Sequence, residues 1–114
     1  MNIEMEEITT DNLARMANAQ PRCLADLFFN GEVDPITATF GAEILGNSCE
    51  DTSIVIHGCR NLLNHEKAYV REGALLGLAG HIGDKRAQAL VKRLSEEDES
   101  KILRDFAEEI LEGV

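Results

Sequence analysis

The sequence predicts an all-α chain, a short α-solenoid of about three antiparallel helix pairs. Three observations predict it. In stretch after stretch, apolar residues recur at steps of three and four, the spacing of one helix face. The composition is rich in Ala, Leu and Glu, with two Pro, four Phe, one Tyr and no Trp, and such a mixture leans helical. The apolar pattern also returns after 33 or 34 residues, a period that fits two helices per unit.

Residues 69–84 carry the pattern most plainly. Val70, Ala74, Gly77, Leu78 and Ile82 fall on one face, and Gly83-Asp84 stops that helix and caps the next. Residues 1–9 are acidic with scattered Ile and Met, and their state stays open. Thr9 or Thr10 is the expected cap of a first helix, with Asp11 in its first turn and Leu13, Met16 and Ala17 as its apolar face. Pro21 starts a new segment or kinks the old one. Leu24, Leu27 and Phe28 extend the face to the Asn30-Gly31 stop.

Asp34 is the expected N-cap of the next helix, with Pro35 at its first position. Its expected apolar set is Ile36, Phe40, Ile44 and Leu45, and it ends at Gly46-Asn47. Asp51, Thr52 or Ser53 caps a helix carrying Val55, Cys59, Leu62 and Leu63, broken at Asn64-His65. After Asp84, a helix carries Ala87, Leu90, Val91 and Leu94, and Ser95–Glu99 reads as a polar turn. The last helix begins at Glu99 or Ser100, carries Ile102, Leu103, Phe106, Ala107, Ile110 and Leu111, and ends at Gly113.

Superposing the units exposes the repeat. At an offset of 34, Leu62-Leu63-Asn64 falls on Phe28-Phe29-Asn30, Val70 on Ile36, Leu78 on Ile44 and Gly80 on Gly46. At an offset of 33, Val70-Arg71 falls on Leu103-Arg104, Ala74 on Ala107, Leu78 on Leu111 and Gly80 on Gly113. The expected layout is one domain over 1–114, with an N-terminal segment or cap at 1–20 and repeats at 21–47, 51–83 and 84–113. One pair cannot bury its own apolar face, so neighbouring pairs must stack.

On the residues Leu62-Leu63-Asn64-His65, Val70-Arg71-Glu72-Gly73-Ala74 and Leu78-Ala79-Gly80-His81-Ile82-Gly83-Asp84, the chain resembles the HEAT-repeat proteins. It resembles in particular the short HEAT-like repeats named after the phycobilisome lyases. Leu103-Arg104-Asp105-Phe106-Ala107 and Ile110-Leu111 repeat the theme more loosely. The likeness spans roughly residues 21–113 and is clearest over 59–111. In the first unit Thr37 stands where Arg71 and Arg104 stand later, and Phe40 replaces a small residue, which reads as a divergent cap. The resemblance implies that the second helix of each pair lines a concave, protein-binding side.

Composition bounds the function classes. A chain of 114 residues buries roughly two-thirds of its unfolded surface as one domain. No apolar run reaches the ~18 residues of a membrane span, and the first residues lack a signal-peptide layout, so no membrane partner and a cytoplasmic location are expected. Three cysteines, Cys23, Cys49 and Cys59, are odd in number and irregularly spaced, which argues for reduced, buried thiols. The net charge is −10, and it is uneven: −8 over residues 1–59, +4 over 60–93 and −6 over 94–114. That balance disfavours direct nucleic-acid binding. Solubility explains it plainly, and a basic protein partner is the sharper reading.

No cofactor and no metal is expected. His57 and Cys59 lie about 200° apart on a helix, so they do not share an ion, and His65 and Cys49 add no ligand spacing. His81 reads as a C-terminal cap rather than a catalyst. Glu96-Glu97-Asp98-Glu99 lacks the glycine and spacing of a calcium loop, and it reads, like Glu108-Glu109, as solvated. Gly73, Gly77 and Gly80 read as places of close helix approach. Arg71 and Arg104 stand at equivalent positions, bonding loop groups such as Asn64 or the adjacent repeat, or else meeting an acidic partner group. Leu76 lies about 200° from Ala74 and off the core stripe, so with Glu72 and Leu75 it forms an expected apolar contact patch unless an N-terminal segment covers it.

The expected partner-binding set is therefore Arg71, Glu72, Leu75, Leu76, Arg104, Asp105 and Glu108. The leading reading is a non-catalytic protein-binding adaptor, scaffold or inhibitor rather than an enzyme. One version of it is an acidic inhibitor or immunity-type protein of a nucleic-acid-binding enzyme. The alternatives are an enzyme subunit, chromophore-lyase-like or chaperone protein, and a structural homo-oligomer paired through its exposed ends.

Overall fold

A computed structural model describes residues 10–114. The expected cap at Thr9 or Thr10, the contribution of Asp11 and the state of residues 1–9 lie outside the described residues and side chains. The described chain is all-helical: α1 Thr10–Ala19, α2 Pro21–Phe29, α3 Pro35–Ser48, α4 Thr52–Arg60, a 3-10 turn Asn61–Asn64, α5 Ala68–Ala79, α6 Lys85–Glu97 and α7 Lys101–Glu112. None of these helices is long and apolar enough to cross a membrane.

The helix starts follow local chemistry. Pro21 and Pro35 stand in the first turns of α2 and α3, where a missing N–H costs nothing. Asp34 holds the N-cap position in extended backbone, but its side chain makes no capping bond. Asp51, Asp84 and Ser100 do cap: they accept from the N–H groups of Ser53 (3.0 Å), Arg86 (2.8 Å) and Leu103 (3.3 Å). Gly31, at φ +70°, turns the chain out of α2, a backbone conformation that favours glycine.

The helices form two layers. Within the layer α2, α4, α6, neighbours run parallel, since Asp26 and Phe29 of α2 meet His57 and Asn61 in ascending order. The same order holds where Ser53 and Asn64 meet Arg86 and Arg93. In the other layer α3 lies along α5, with Thr39 against Gly73, Ala42 against Gly77 and Gly46 against both Gly77 and Gly80. α1 packs on the other side of α3, so it takes the place of a second helix at that edge, and α7 touches α5 more lightly. The core between the layers includes Leu24, Phe28, Leu45, Val55, Leu63 and Leu78, each at most 2% exposed.

Two glycines set the α3–α5 spacing. A Cβ at Gly73 would collide with the Thr39 carbonyl, and one at Gly77 with the Ala42 carbonyl. Backbone therefore packs on backbone. Gly80 differs from its expected role: it caps α5 and faces only an ordinary contact with the Gly46 carbonyl.

Close packing also explains where the expected helix faces move. α3 buries its small residues Ala38, Gly41, Ala42 and Gly46 together with Leu45, which turns Ile36 and Phe40 outward at 59% and 53% exposure. α3 passes through Gly46-Asn47 to Ser48. Leu62 and Leu63 leave α4 for the 3-10 turn yet stay buried. α6 continues through Ser95 and Glu96 to Glu97, supported by a Lys92–Glu96 pair one turn apart at 3.2 Å. Ile102, expected in the core stripe of α7, is 77% exposed.

Candidate protein-interaction face

Arg71 is not a surface residue. It is 5% exposed, and Asp98, in the loop after α6, is 8% exposed. Arg71 Nε donates to Asp98 Oδ2 at 2.8 Å and Nη2 donates to Oδ1 at 3.2 Å. Its Nη1 donates to the carbonyls of His65 (2.8 Å) and Glu66 (3.2 Å). The guanidinium thus ties the loop before α5 to the loop before α7. Arg104 repeats part of the device: its Nη1 donates to the Asp98 carbonyl at 2.6 Å, six residues before it, as the His65 carbonyl lies six before Arg71. Asp98 Oδ1 also accepts from the Ser100 N–H at 2.8 Å. An open groove lies above this knot, lined by Asn64, Glu66, Arg93, Glu97 and Glu99 among others.

This geometry removes two residues, Arg71 and Leu75, from the expected partner-binding set. Arg71 is consumed by internal bonds, and Leu75 is fully buried, so neither offers itself to a partner. Leu75 turns inward because α5 is covered on several sides, by α3, by α4 and by the 3-10 turn. Leu76 is half-buried, Arg104 is half-buried, and Glu72 is exposed. Asp105 is exposed and paired with Lys101 at 2.8 Å. Glu108 lines a different open groove, between α6 and α7, with Lys92, Ser95, Glu96, Leu111 and Glu112.

The residues singled out for metal or acid–base chemistry have packing partners. His57 Nε2 lies 2.9 Å from Asp26 Oδ1, and its ring stacks on Phe29 with centroids 4.4 Å apart. Burial pushes the Cys59 thiol up to about 12. His65 Nδ1 accepts from the Lys67 N–H at 3.0 Å. His81 Nε2 donates to the Gly46 carbonyl at 3.0 Å, with Nδ1 2.8 Å from the Thr52 hydroxyl. It thereby pins the end of α5 to the end of α3 and the start of α4. No group of three or more potential metal ligands gathers among the described residues.

The surface feature that sequence reasoning missed is a set of exposed apolar side chains at equivalent places in alternate helices. Ile36, Tyr69 and Ile102 are 59%, 43% and 77% exposed. Each is the second residue of its helix, α3, α5 or α7, and they stand 33 residues apart. Phe40, one turn on from Ile36, is 53% exposed. A signal was available: the shared position just after each helix start, at the repeat spacing. Apolar periodicity alone assigned Ile36 and Ile102 to the core.

Charge divides between the layers. α2, α4 and α6 carry six bases (Arg22, Arg60, Lys85, Arg86, Lys92, Arg93) and three acids. α3, α5 and α7 carry six acids (Glu43, Glu72, Asp105, Glu108, Glu109, Glu112) and three bases. Ile36, Phe40, Tyr69 and Ile102 therefore all belong to the more acidic helices. No family model, no curated protein and no solved structure matches the chain.

Proposed function

We propose that the protein is a short HEAT-like α-solenoid that acts as a non-catalytic protein-interaction module and binds its partner on the α3–α5–α7 face. The observation that carries this reading is the exposure of Ile36, Phe40, Tyr69 and Ile102, at or near the starts of α3, α5 and α7. Exposed apolar side chains grouped on one face are stable in a monomer only at a cost in ordered water, and such patches serve partners. A structural role for Arg71, His57 and His81 supports the non-catalytic reading, because each is already engaged by neighbours. The parallel contacts of α2 with α4 and of α3 with α5 support the repeat reading.

Affinity capture from the native cell tests it. Tagged full-length chain is compared with the Phe40→Ser/Glu72→Lys variant, and bound proteins are identified by mass spectrometry. A partner retained by the parent and lost by the variant is expected. Equal capture by both overturns the assignment of this face.

A further inference from the structure

We infer that α6 and α7 form one hinged unit, which swings away from α1–α5 about residues 82–84 and is latched shut by the buried Arg71–Asp98 pair. The inference goes beyond the interaction-face reading and does not depend on it.

The two sides of the seam are built differently. On the α1–α5 side, helices meet backbone to backbone. Gly73 and Gly77 lie against the Thr39 and Ala42 carbonyls, and a Cβ at Gly58 of α4 would stand 3.1 Å from Ala25 Cα on α2. α6 and α7 instead pack chiefly on each other and touch α4 and α5 lightly. The glycines at their ends make no such approach: Gly83 has nothing within 4 Å of a Cβ, and Gly113 has only the Ile110 carbonyl of its own helix. Dispersion weakens steeply with distance, so the seam holds the hairpin less firmly than the glycine contacts hold α3 to α5.

Polar ties also cross the seam, and one of them is unlike the rest. Arg86 Nη1 donates to Ser53 Oγ at 3.1 Å and Arg93 Nη2 to Asn64 Oδ1 at 2.9 Å. All four residues are exposed, so water competes and such bonds add little. Arg71 and Asp98 are both buried and joined by two hydrogen bonds, and parting them strands a charge.

Its position makes the pair a latch. Asp98 belongs to the hairpin, because Arg104 Nη1 and the Ser100 N–H both donate to it. α6 has 13 residues, which sets Asp98 roughly 20 Å from the hinge, at the far end of the arm. There the seam is not sealed: the open groove runs beside the pair, with Asn64 and Glu66 on one side and Arg93 and Glu97 on the other. At the near end His81 is fixed to the Gly46 carbonyl and the Thr52 hydroxyl. Hinges place their motion in a few loop residues, and Ile82, Gly83 and Asp84 are those between this anchor and α6.

Native-state hydrogen exchange of the full chain, read by NMR as denaturant rises below the unfolding transition, tests the inference. The slowest amides of α6 and α7 are expected to exchange at a common free energy, about tenfold or more faster than the slowest of α3 and α5. Their dependence on denaturant is expected to be shallower, because opening the hairpin bares less surface than unfolding the chain. One shared rate and slope for all four helices overturns the hinged unit, as does an α7 that stays as protected as α3 while α6 opens. Asp98→Asn keeps an acceptor for the Ser100 N–H but removes the counter-charge, and is expected to speed the α6 and α7 amides about tenfold or more with the shallow slope kept. Arg71→Lys keeps the charge and loses the two-bonded fork, so it is expected to speed the same amides less, and it reads the latch if Asp98→Asn does not fold. Parent rates in α6 and α7 of the folded variants overturn the latch.

Discussion

Arg71 and Asp98 form a buried, two-bonded ion pair between elements 27 residues apart in sequence, with side chains only 6% and 3% exposed. The pair's Coulomb attraction works against a large desolvation cost, so its presence says little about net stability. Its removal by halves says much more. Asp98→Ala leaves a buried guanidinium without its counter-charge and strips a cap from the Ser100 N–H. The expected loss is about 3–5 kcal/mol in chemical denaturation. The paired replacement Arg71→Met/Asp98→Leu is expected to recover most of it. If Asp98→Ala unfolds at the parent's denaturant concentration, the pair is not the tie between the two loops.

Gly77→Ala reverses the usual sign of a helix substitution. Inside an exposed helix, Ala in place of Gly stabilises by about 1 kcal/mol. At Gly77 the new Cβ would enter the Ala42 carbonyl and press on the Cys59 sulfur, so α3 and α5 must separate. A loss of about 1–3 kcal/mol is expected, the range for overpacked cores. Gly83→Ala is the control, since nothing lies within 4 Å of a Cβ there and its φ is not positive. It is expected to be neutral or stabilising by less than about 1 kcal/mol. Thermal unfolding of the two variants side by side decides the point.

Those two sites also mark how far the sequence could be read. The helix starts were legible because Pro21, Pro35, Asp51, Asp84 and Ser100 act locally, through fixed φ or a single hydrogen bond. The close approach at Gly73 and Gly77 was legible because glycine inside a helix pattern has few other uses. The outward turn of Ile36, Phe40 and Ile102 was not, because it depends on how deeply α3 sinks against α5. Small residues captured the core side of α3, and periodicity cannot rank Ala42 above Phe40. Arg71 was readable as a structural residue or a contact residue, and only the position of Asp98, just past a helix longer than expected, separates the two. The inward turn of Leu75 likewise needed the placement of three neighbouring elements.

Asp84 is held well below the usual carboxylate range, at about 2, chiefly by the side-chain hydrogen bonds from Arg86, then by the Arg86 N–H. A depressed folded value means that the native state holds the ionised form. The associated stabilisation is present above the unfolded value, near 4, and is lost as pH falls from about 4 through 2. A carboxyl carbon titration by NMR is expected to show this low midpoint, and Arg86→Ala is expected to move it back up toward 3.8. A parent midpoint near 4 would break the link between Arg86 and the start of α6.

The three thiols are expected to divide by burial rather than by sequence. Cys23 is exposed, while Cys49 and Cys59 are buried. Cys59 is the extreme, with burial raising its thiol from 9.0 to about 12. The reactive species is the thiolate, so Cys59 is both shielded and almost wholly protonated at pH 8. A thiol-specific chromogenic reagent is expected to label Cys23 quickly in the native protein and Cys59 only at the rate of unfolding. Because the folded value is raised, the neutral thiol's contribution is intact below about pH 9 and fades as pH climbs from there toward 12. Cys59→Ala removes that alkaline slope but opens a cavity against Gly77, whose would-be Cβ lies 3.2 Å from the Cys59 sulfur, so a small loss at neutral pH accompanies it. Rapid native labelling of Cys59 at pH 8 would mean that α4 opens far more readily than its packing between α2 and α5 allows.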